Sequence, residues 1–429
     1  MAAQGAFFAF VASPFPSHLG QMSLAVAELL RRGHRVEIWA DESLRQTSEK
    51  LGAGFRLVPL EKGLADRTTS YSERPLDYYA RFAFPLVVKQ LPRILELCEE
   101  LAPNVIHSNS RIYTAAVASR LTGIPCSNHC GSGLSFGLIP EDLFGFHLSG
   151  ETPPRKRQIM IAMNRAFHKE VDLLFERIVA GPLAIAPVDN VLGLVSDRCV
   201  LALSCRELSN PRLAALPQTV LTGPLIADGK LPAAGTEGEY CYVSLGTWPL
   251  QPRVTIDLYR TIISGIVRKH RVVVGLGGRF EPTDLGMEDE RVLVLKYAPQ
   301  ESMIRNADAV ICHGGCQTVH EALYFGKPLV ILPPSLAEPL ELSHKVARAG
   351  AGVVLDYLSA AQSDVLRAVE TVLGEESFRR SAESLGQSLR GEGGLDRAVE
   401  ALERLAAQPA SQVPEGDIGQ PSHSARETR

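Results

Sequence analysis

The chain has 429 residues, 45% of them apolar, a formal net charge of -4 and a pI near 6.3. That length and apolar content suffice for two or three domains with cores of their own, and the balance of charge excludes a nucleic-acid binder, which would need basic clusters. No window reaches the ~18 consecutive apolar residues of a spanning helix, so stable membrane insertion is excluded and a cytoplasmic protein is expected.

The apolar run Ala6 to Ala12 reads as a first β-strand and not as the core of a signal peptide, because no Lys or Arg precedes it and Ser13-Pro14 ends it. Helical spacing follows over Gln21 to Arg32, Gly33 terminates that helix, and Arg35 to Ala40 forms a second strand. The first loop lacks Gly-x-Gly-x-x-Gly, so Asp41 is not expected to hold a dinucleotide ribose. Phe82 to Glu100 reads as a helix interrupted by Pro85 and Pro92, and Val105-Ile106 and Tyr113 to Leu121 repeat the strand–helix rhythm. That rhythm predicts α/β architecture with a parallel, right-handed, doubly wound sheet.

Tyr78, Tyr79, Phe82 and Phe84 are expected mainly in the core. The Gly-punctuated loop Ser132 to Phe146, with Phe136, Phe144 and Phe146, is the candidate wall of an apolar ligand cleft. Cys126-Ser127-Asn128-His129-Cys130 and Cys312 to Cys316 lack tetrahedral-site spacing, so buried thiols and no metal site are expected. Without a secretion signal the eight cysteines are expected to be reduced.

Residues 223–238 are rich in Pro, Gly and small side chains and form the expected linker between domains at 1–222 and 239–407. A second strand–helix series runs from Cys241 to Leu332, helices cover Leu366 to Leu373 and Ala398 to Ala406, and 408–429 reads as a disordered tail.

The densest chemistry lies at residues 313–321, His-Gly-Gly-Cys-Gln-Thr-Val-His-Glu. A buried strand, Ala309 to Cys312, runs into Gly314 and Gly315, where backbone approaches a ligand, and helical spacing is expected from Thr318 to Phe325. Free amides and the positive helix end suit a diphosphate. His313 and Thr318 can donate to it, whereas Glu321 has the wrong charge for phosphate and suits a pair of ribose hydroxyls.

The stretch from His313 through Gln317, Glu321 and Gly326-Lys327-Pro328 resembles the signature of family 1 glycosyltransferases, the UDP-glycosyltransferase superfamily. Ser13 to His18, Ser244-Leu245-Gly246-Thr247 and Tyr297-Ala298-Pro299-Gln300 agree in order and spacing, so the resemblance spans roughly residues 6 to 405. It implies two Rossmann-like domains facing across a cleft (GT-B), the last helix crossing back to the first domain, and an inverting, metal-independent transfer. The co-substrate would be a UDP- or dTDP-sugar, with no other cofactor. The acceptor would be the hydroxyl of a lipophilic small molecule or natural product, and the protein a monomer or homodimer. His18 matches the catalytic base; Thr247, Tyr297 and Gln300 match phosphate, base-stacking and base/ribose positions.

Two departures stand out. The family's Asp that orients the base is matched by Asn109, which can accept an imidazole N–H through its amide oxygen but brings no charge; in serine proteases the equivalent swap costs on the order of 10⁴ in rate. The family's pair that reads donor-sugar hydroxyls is matched by Glu338-Pro339, with Leu342 where an Asn is usual, so a less polar sugar pocket is expected. Two other readings stay open: a sugar-nucleotide epimerase or hydrolase on the same fold, and an inactive sugar-nucleotide-binding auxiliary protein.

Overall fold

The alternation of β-branched runs with amphipathic helices resolves into two parallel sheets. The computed structural model describes residues 5–12, 19–60, 75–131, 154–194, 198–227, 239–246, 252–334 and 337–408. Within them the first half contributes β1 (Phe7–Val11), β2 (Arg35–Ala40), β3 (Gly54–Leu57), β4 (Val105–Asn109), β5 (Cys126–Cys130), β6 (Cys199–Ala202) and β7 (Thr219–Leu221). The second contributes β8 (Cys241–Ser244), β9 (Val272–Gly275), β10 (Val292–Leu295), β11 (Ala309–Cys312), β12 (Leu329–Ile331) and β13 (Gly352–Val354).

The strand orders are β3-β2-β1-β4-β5-β6-β7 and β10-β9-β8-β11-β12-β13. Each order reverses once, at β1/β4 and at β8/β11, and the pairs there are parallel. Where successive crossovers leave a parallel sheet on opposite faces, a crevice opens beyond the carboxyl ends of the two strands. Both crevices coincide with motifs singled out in the sequence: at the first β4 ends at Asn109, and at the second β8 leads into Gly246 and β11 into His313.

Two sequence expectations change, and the core placement of the aromatic cluster holds. The helix α1 (Ser23–Arg31) starts two residues later than its periodicity suggests. Pro85 and Pro92 do not interrupt α2 (Phe84–Leu101): Pro85 sits in the first turn, where backbone N–H groups have no intrahelical partner anyway, and Pro92 faces solvent. The aromatic cluster is core, with Tyr78, Tyr79, Phe82 and Phe84 packed around Tyr113 in α3 (Tyr113–Thr122) and Phe175 in α4 (Pro154–Phe175). The long α4 escapes a reading by period because charged residues interleave its apolar ones. Asp41 caps the short turn after β2 by accepting from Ser43 N at 2.9 Å. No helix among the described residues is long and apolar enough to cross a membrane.

The last helix, α11 (Gly394–Ala406), packs in the first domain's core: Ala398, Val399, Leu402 and Leu405 lie with Phe8, Val26 and Leu29. Around this seam Arg32 bonds Glu403 at 3.1 Å and Asp396 at 3.0 Å, and His34 Nε2 lies 2.9 Å from Glu403. Partly exposed ion pairs contribute little free energy, so apolar burial holds the crossing helix and the charges set its register. Leu402 is fully buried, and Leu402→Ala should lower unfolding stability by about 2–5 kcal/mol, read as a reduced urea midpoint. A loss within ~0.5 kcal/mol, the scale of a surface substitution, would show that the helix is not part of that core.

Candidate active site

In the second domain the loop after β11 wraps the His313 ring. A Cβ added to Gly246 or Gly315 would come 2.5 or 2.6 Å from the imidazole Cε1, so no side chain fits at either position. Gly314 adopts φ 84 and Gly246 φ 71, conformations that favour glycine. Gly315, in extended backbone, caps α7 (Cys316–Tyr324) without a side-chain hydrogen bond to the first turn. The helix thus begins two residues before the expected Thr318, and Cys316 and Gln317 belong to its first turn, where amides are free to meet an anion. Burial pulls the His313 pKa down to about 4, partly offset by the Ser244 backbone, so at neutral pH the imidazole is an uncharged donor.

One turn on, Glu321 is buried, and both its carboxylate oxygens accept from amides. Gln300, the first residue of α6 (Gln300–Asn306), donates to Oε2 at 2.7 Å, and Gln317 donates to Oε1 at 2.9 Å. Burial raises the Glu321 pKa to about 7 even though these two bonds favour the charged form. Three residues expected from two motifs therefore converge, with Thr318 buried in the same helix turn. Tyr297 is 73% exposed; its ring lies over Gly278, where an added Cβ would meet it at 2.2 Å. That leaves a flat apolar face turned outward.

Pro339 lies in the first turn of α8 (Ala337–Arg348), where a missing N–H costs nothing. Its carbonyl would be 3.0 Å from a Cβ at Gly314, so the expected donor-sugar position adjoins the expected phosphate loop. The backbone of Glu338 belongs to α8, whereas its side chain is outside the described residues. Leu342 is core, packed with Ile331 and Val346, which explains an apolar residue there.

In the first domain Asn109 ends β4. Its Oδ1 accepts from the Arg111 backbone at 3.0 Å, and its Nδ2 lies 3.2 Å from His129 Nε2. His129 and His107 are residues that reading by motif missed; the signal was present as polar residues two apart in adjacent buried strands. A cavity bounded by Ala12, Leu19, Asn109 and His129 opens at this crevice. His18, Thr247, Ser132, Phe136, Phe144 and Phe146 lie outside the described residues. So does the tail beyond 408.

The domains also meet through polar contacts. His320 of α7 lies 3.1 Å from Ser204 Oγ, Lys345 of α8 donates to Leu208 O at 2.8 Å, and Gln21 Nε2 is 3.8 Å from Cys316 Sγ. A second cavity is lined by Gln21, Gly131 and Leu225 from one half and by Cys316, Gln317 and Glu321 from the other.

A carbon-detected titration should give Glu321 a midpoint near 7, and Gln300→Leu should move it higher by removing a bond to the charged form. Because the folded-state pKa lies above the ordinary 4.5, this group favours folding below about pH 4.5, and that contribution fades as pH rises through about 7. Glu321→Gln should flatten that part of the stability–pH curve. A midpoint near 4.5 in the wild type would show that the carboxylate is solvated.

Residues 241–405 match the family model described as UDP-glucoronosyl and UDP-glucosyl transferase. The chain is 24% identical to 4'-demethylrebeccamycin synthase of Lentzea aerocolonigenes, over 94% of this chain and 100% of that protein. It is 23% identical to demethyllactenocin mycarosyltransferase of Streptomyces fradiae, over 94% and 87%. Its fold is similar to the crystal structure of the glycotransferase of kitacinnamycin, with TM-score 0.72 and 21% identity over 94% of this chain and 99% of that one. Residues 241–405 thus carry a UDP-glycosyltransferase family domain, the two parallel-sheet domains have the GT-B fold, and the chain is a glycosyltransferase.

Proposed function

We propose that the enzyme moves a sugar from UDP or dTDP to a hydroxyl of a lipophilic small molecule, with inversion and without a metal. Residues 1–222 would hold the acceptor, 239–407 the nucleotide-sugar, and 223–238 would link them. The observation that carries this reading is the seam between the crevices: Gln21, three residues after His18, reaches Cys316, the first residue of α7, at 3.8 Å. A base supplied by residue 18 and a diphosphate seated on α7 would then face one reacting carbon.

In that site the acceptor oxygen attacks the anomeric carbon and its proton passes to the His18 imidazole. The bond from that carbon to the diphosphate oxygen breaks, and the departing electron pair is stabilised by the α7 amides and the neutral His313 donor. A single displacement inverts the anomeric centre. Glu321 accepts the ribose hydroxyls, Tyr297 stacks the base, and the acceptor occupies the face toward Ser132 to Phe146. The names of the relatives, a rebeccamycin-type synthase and a mycarosyltransferase, support a natural-product acceptor.

His18→Ala should reduce transfer by about 10²–10⁴, the range of a general base, and leave nucleotide affinity within a few-fold, because the two lie in different domains. Near-normal turnover would remove His18 from the chemistry. Nucleotide affinity should rise with pH through about 7 as Glu321 loses its proton, and Glu321→Gln should abolish that dependence. Products separate the rivals: free sugar or an epimerised donor would indicate a hydrolase or epimerase, and a glycosylated acceptor the transferase.

Pro339 offers no side-chain donor where the family pairs with sugar hydroxyls. The wild type should therefore accept deoxy and hydroxylated donors within ~10² of each other, the discrimination of an apolar surface. Pro339→Gln should shift preference toward the hydroxylated donor. Rejection of the deoxy donor by ~10⁴ in the wild type would mean that another side chain makes those bonds.

A further inference from the structure

Asn109 ends a buried hydrogen-bonded chain that the reaction above leaves without a task. In the β4/β5 register His107 pairs with Ser127 and Asn109 with His129, so the two-residue period brings all four side chains to one face. Asn109 Nδ2 lies 3.2 Å from His129 Nε2, His129 Nδ1 lies 3.0 Å from His107 Nε2, and His107 Nδ1 lies 2.7 Å from Ser127 Oγ. The imidazoles stack, with ring planes 12° apart, and all four residues are buried.

The direction of the chain follows from its end. The Arg111 backbone N–H donates to Asn109 Oδ1 at 3.0 Å, which turns the amide nitrogen toward His129. An amide NH₂ cannot accept, so His129 Nε2 is the acceptor and its proton sits on Nδ1. That proton is given to His107 Nε2, and the His107 proton on Nδ1 is given to Ser127 Oγ. Each of the three bonds then pairs one donor with one acceptor, and both rings are neutral. A carboxylate at 109 would demand the reverse order, with N–H on both Nε2 atoms and the Ser127 hydroxyl donating; Ser127 permits either order because a hydroxyl both donates and accepts.

We infer that His129 is a positioning residue of the transfer site: its unprotonated Nε2 anchors the Asn109 amide, so that the second lone pair of Asn109 Oδ1 is held as an uncharged acceptor at the cavity bounded by Ala12, Leu19, Asn109 and His129. The inference rests on the proposed role of His18. The terminal torsion of an asparagine is broad and roughly two-fold. The flipped amide would set its NH₂ against the Arg111 N–H and offer a donor where the base needs an acceptor. Two bonds of opposite polarity, to Arg111 and to His129, exclude that flip.

Nitrogen-detected NMR of the ring nitrogens should find His129 protonated at Nδ1 in the wild type and at Nε2 in Asn109→Asp. Nε2 protonation in the wild type, or an unchanged tautomer in Asn109→Asp, would overturn the assigned polarity. In kinetics, His129→Leu should lower kcat about tenfold or more with the KM for nucleotide-sugar unchanged, and His129→Gln, whose Oε1 can accept from the Asn109 amide, should recover most of that loss. Equal losses in both variants would reduce His129 to packing, and an undiminished kcat in His129→Leu would sink the inference outright. If His129→Leu fails to fold, the Gln variant and the tautomers decide. Full activity of His18→Ala would instead refute the base while leaving the tautomer result standing.

Discussion

Parallel strand pairing with one reversal of order is the constraint on which the rest of this enzyme depends. A parallel strand needs a crossover, crossovers are right-handed, and where two leave on opposite faces the sheet cannot be covered at its carboxyl edge. The molecule does this twice, at β1/β4 and at β8/β11. Each uncovered edge carries polar residues that a closed core would reject, Asn109 and His129 in one half and His313 and Glu321 in the other.

Those polar residues are nevertheless buried, and what they do follows from desolvation. His313 and His107 are held below their ordinary pKa by burial, while Glu321 is held above. Burial thereby leaves His313 uncharged and reduces the charge on Glu321 before ligand arrives. Hydrogen bonds then set direction: two glutamine amides aim at the Glu321 carboxylate, and the Arg111 backbone orients the Asn109 amide. A preorganised cradle with an uncharged His313 suits a nucleotide-sugar, which brings its own negative charge.

The two halves are coupled by elements that belong to one domain in sequence and to the other in space. α11 follows the second sheet yet fills the first domain's core, and α7 and α8 place His320 and Lys345 against residues 204–208. The apolar seam gives the crossing helix its affinity, and the polar contacts near α7 connect the start of that helix to the segment after β1. Gly223, at φ 69, passes so near the Leu389 carbonyl that an added Cβ would stand 2.3 Å away, so the chain leaves the first domain over α10 (Glu376–Gly391) only as glycine.

Much was legible in the residues themselves. The short β-branched runs, the Gly-Gly turn before α7 and the spacing from His313 to Glu321 depend on local geometry, namely strand period, glycine's backbone freedom and the 3.6-residue turn. They determined the α/β class, the family resemblance and the glycine turn that starts α7. Local period failed where charge interleaves apolar positions, as in α4, and where a proline falls on a helix's solvent side, as Pro92 does. Partnership was decided only by tertiary structure: that Gln300 and Gln317 meet on Glu321, that α11 belongs to the other domain's core, and that His107, His129 and Ser127 join Asn109. Such contacts depend on strand register and on which face each side chain takes, and burial shifts a pKa only once the surrounding atoms are assembled; neither is a property of any stretch of sequence taken alone.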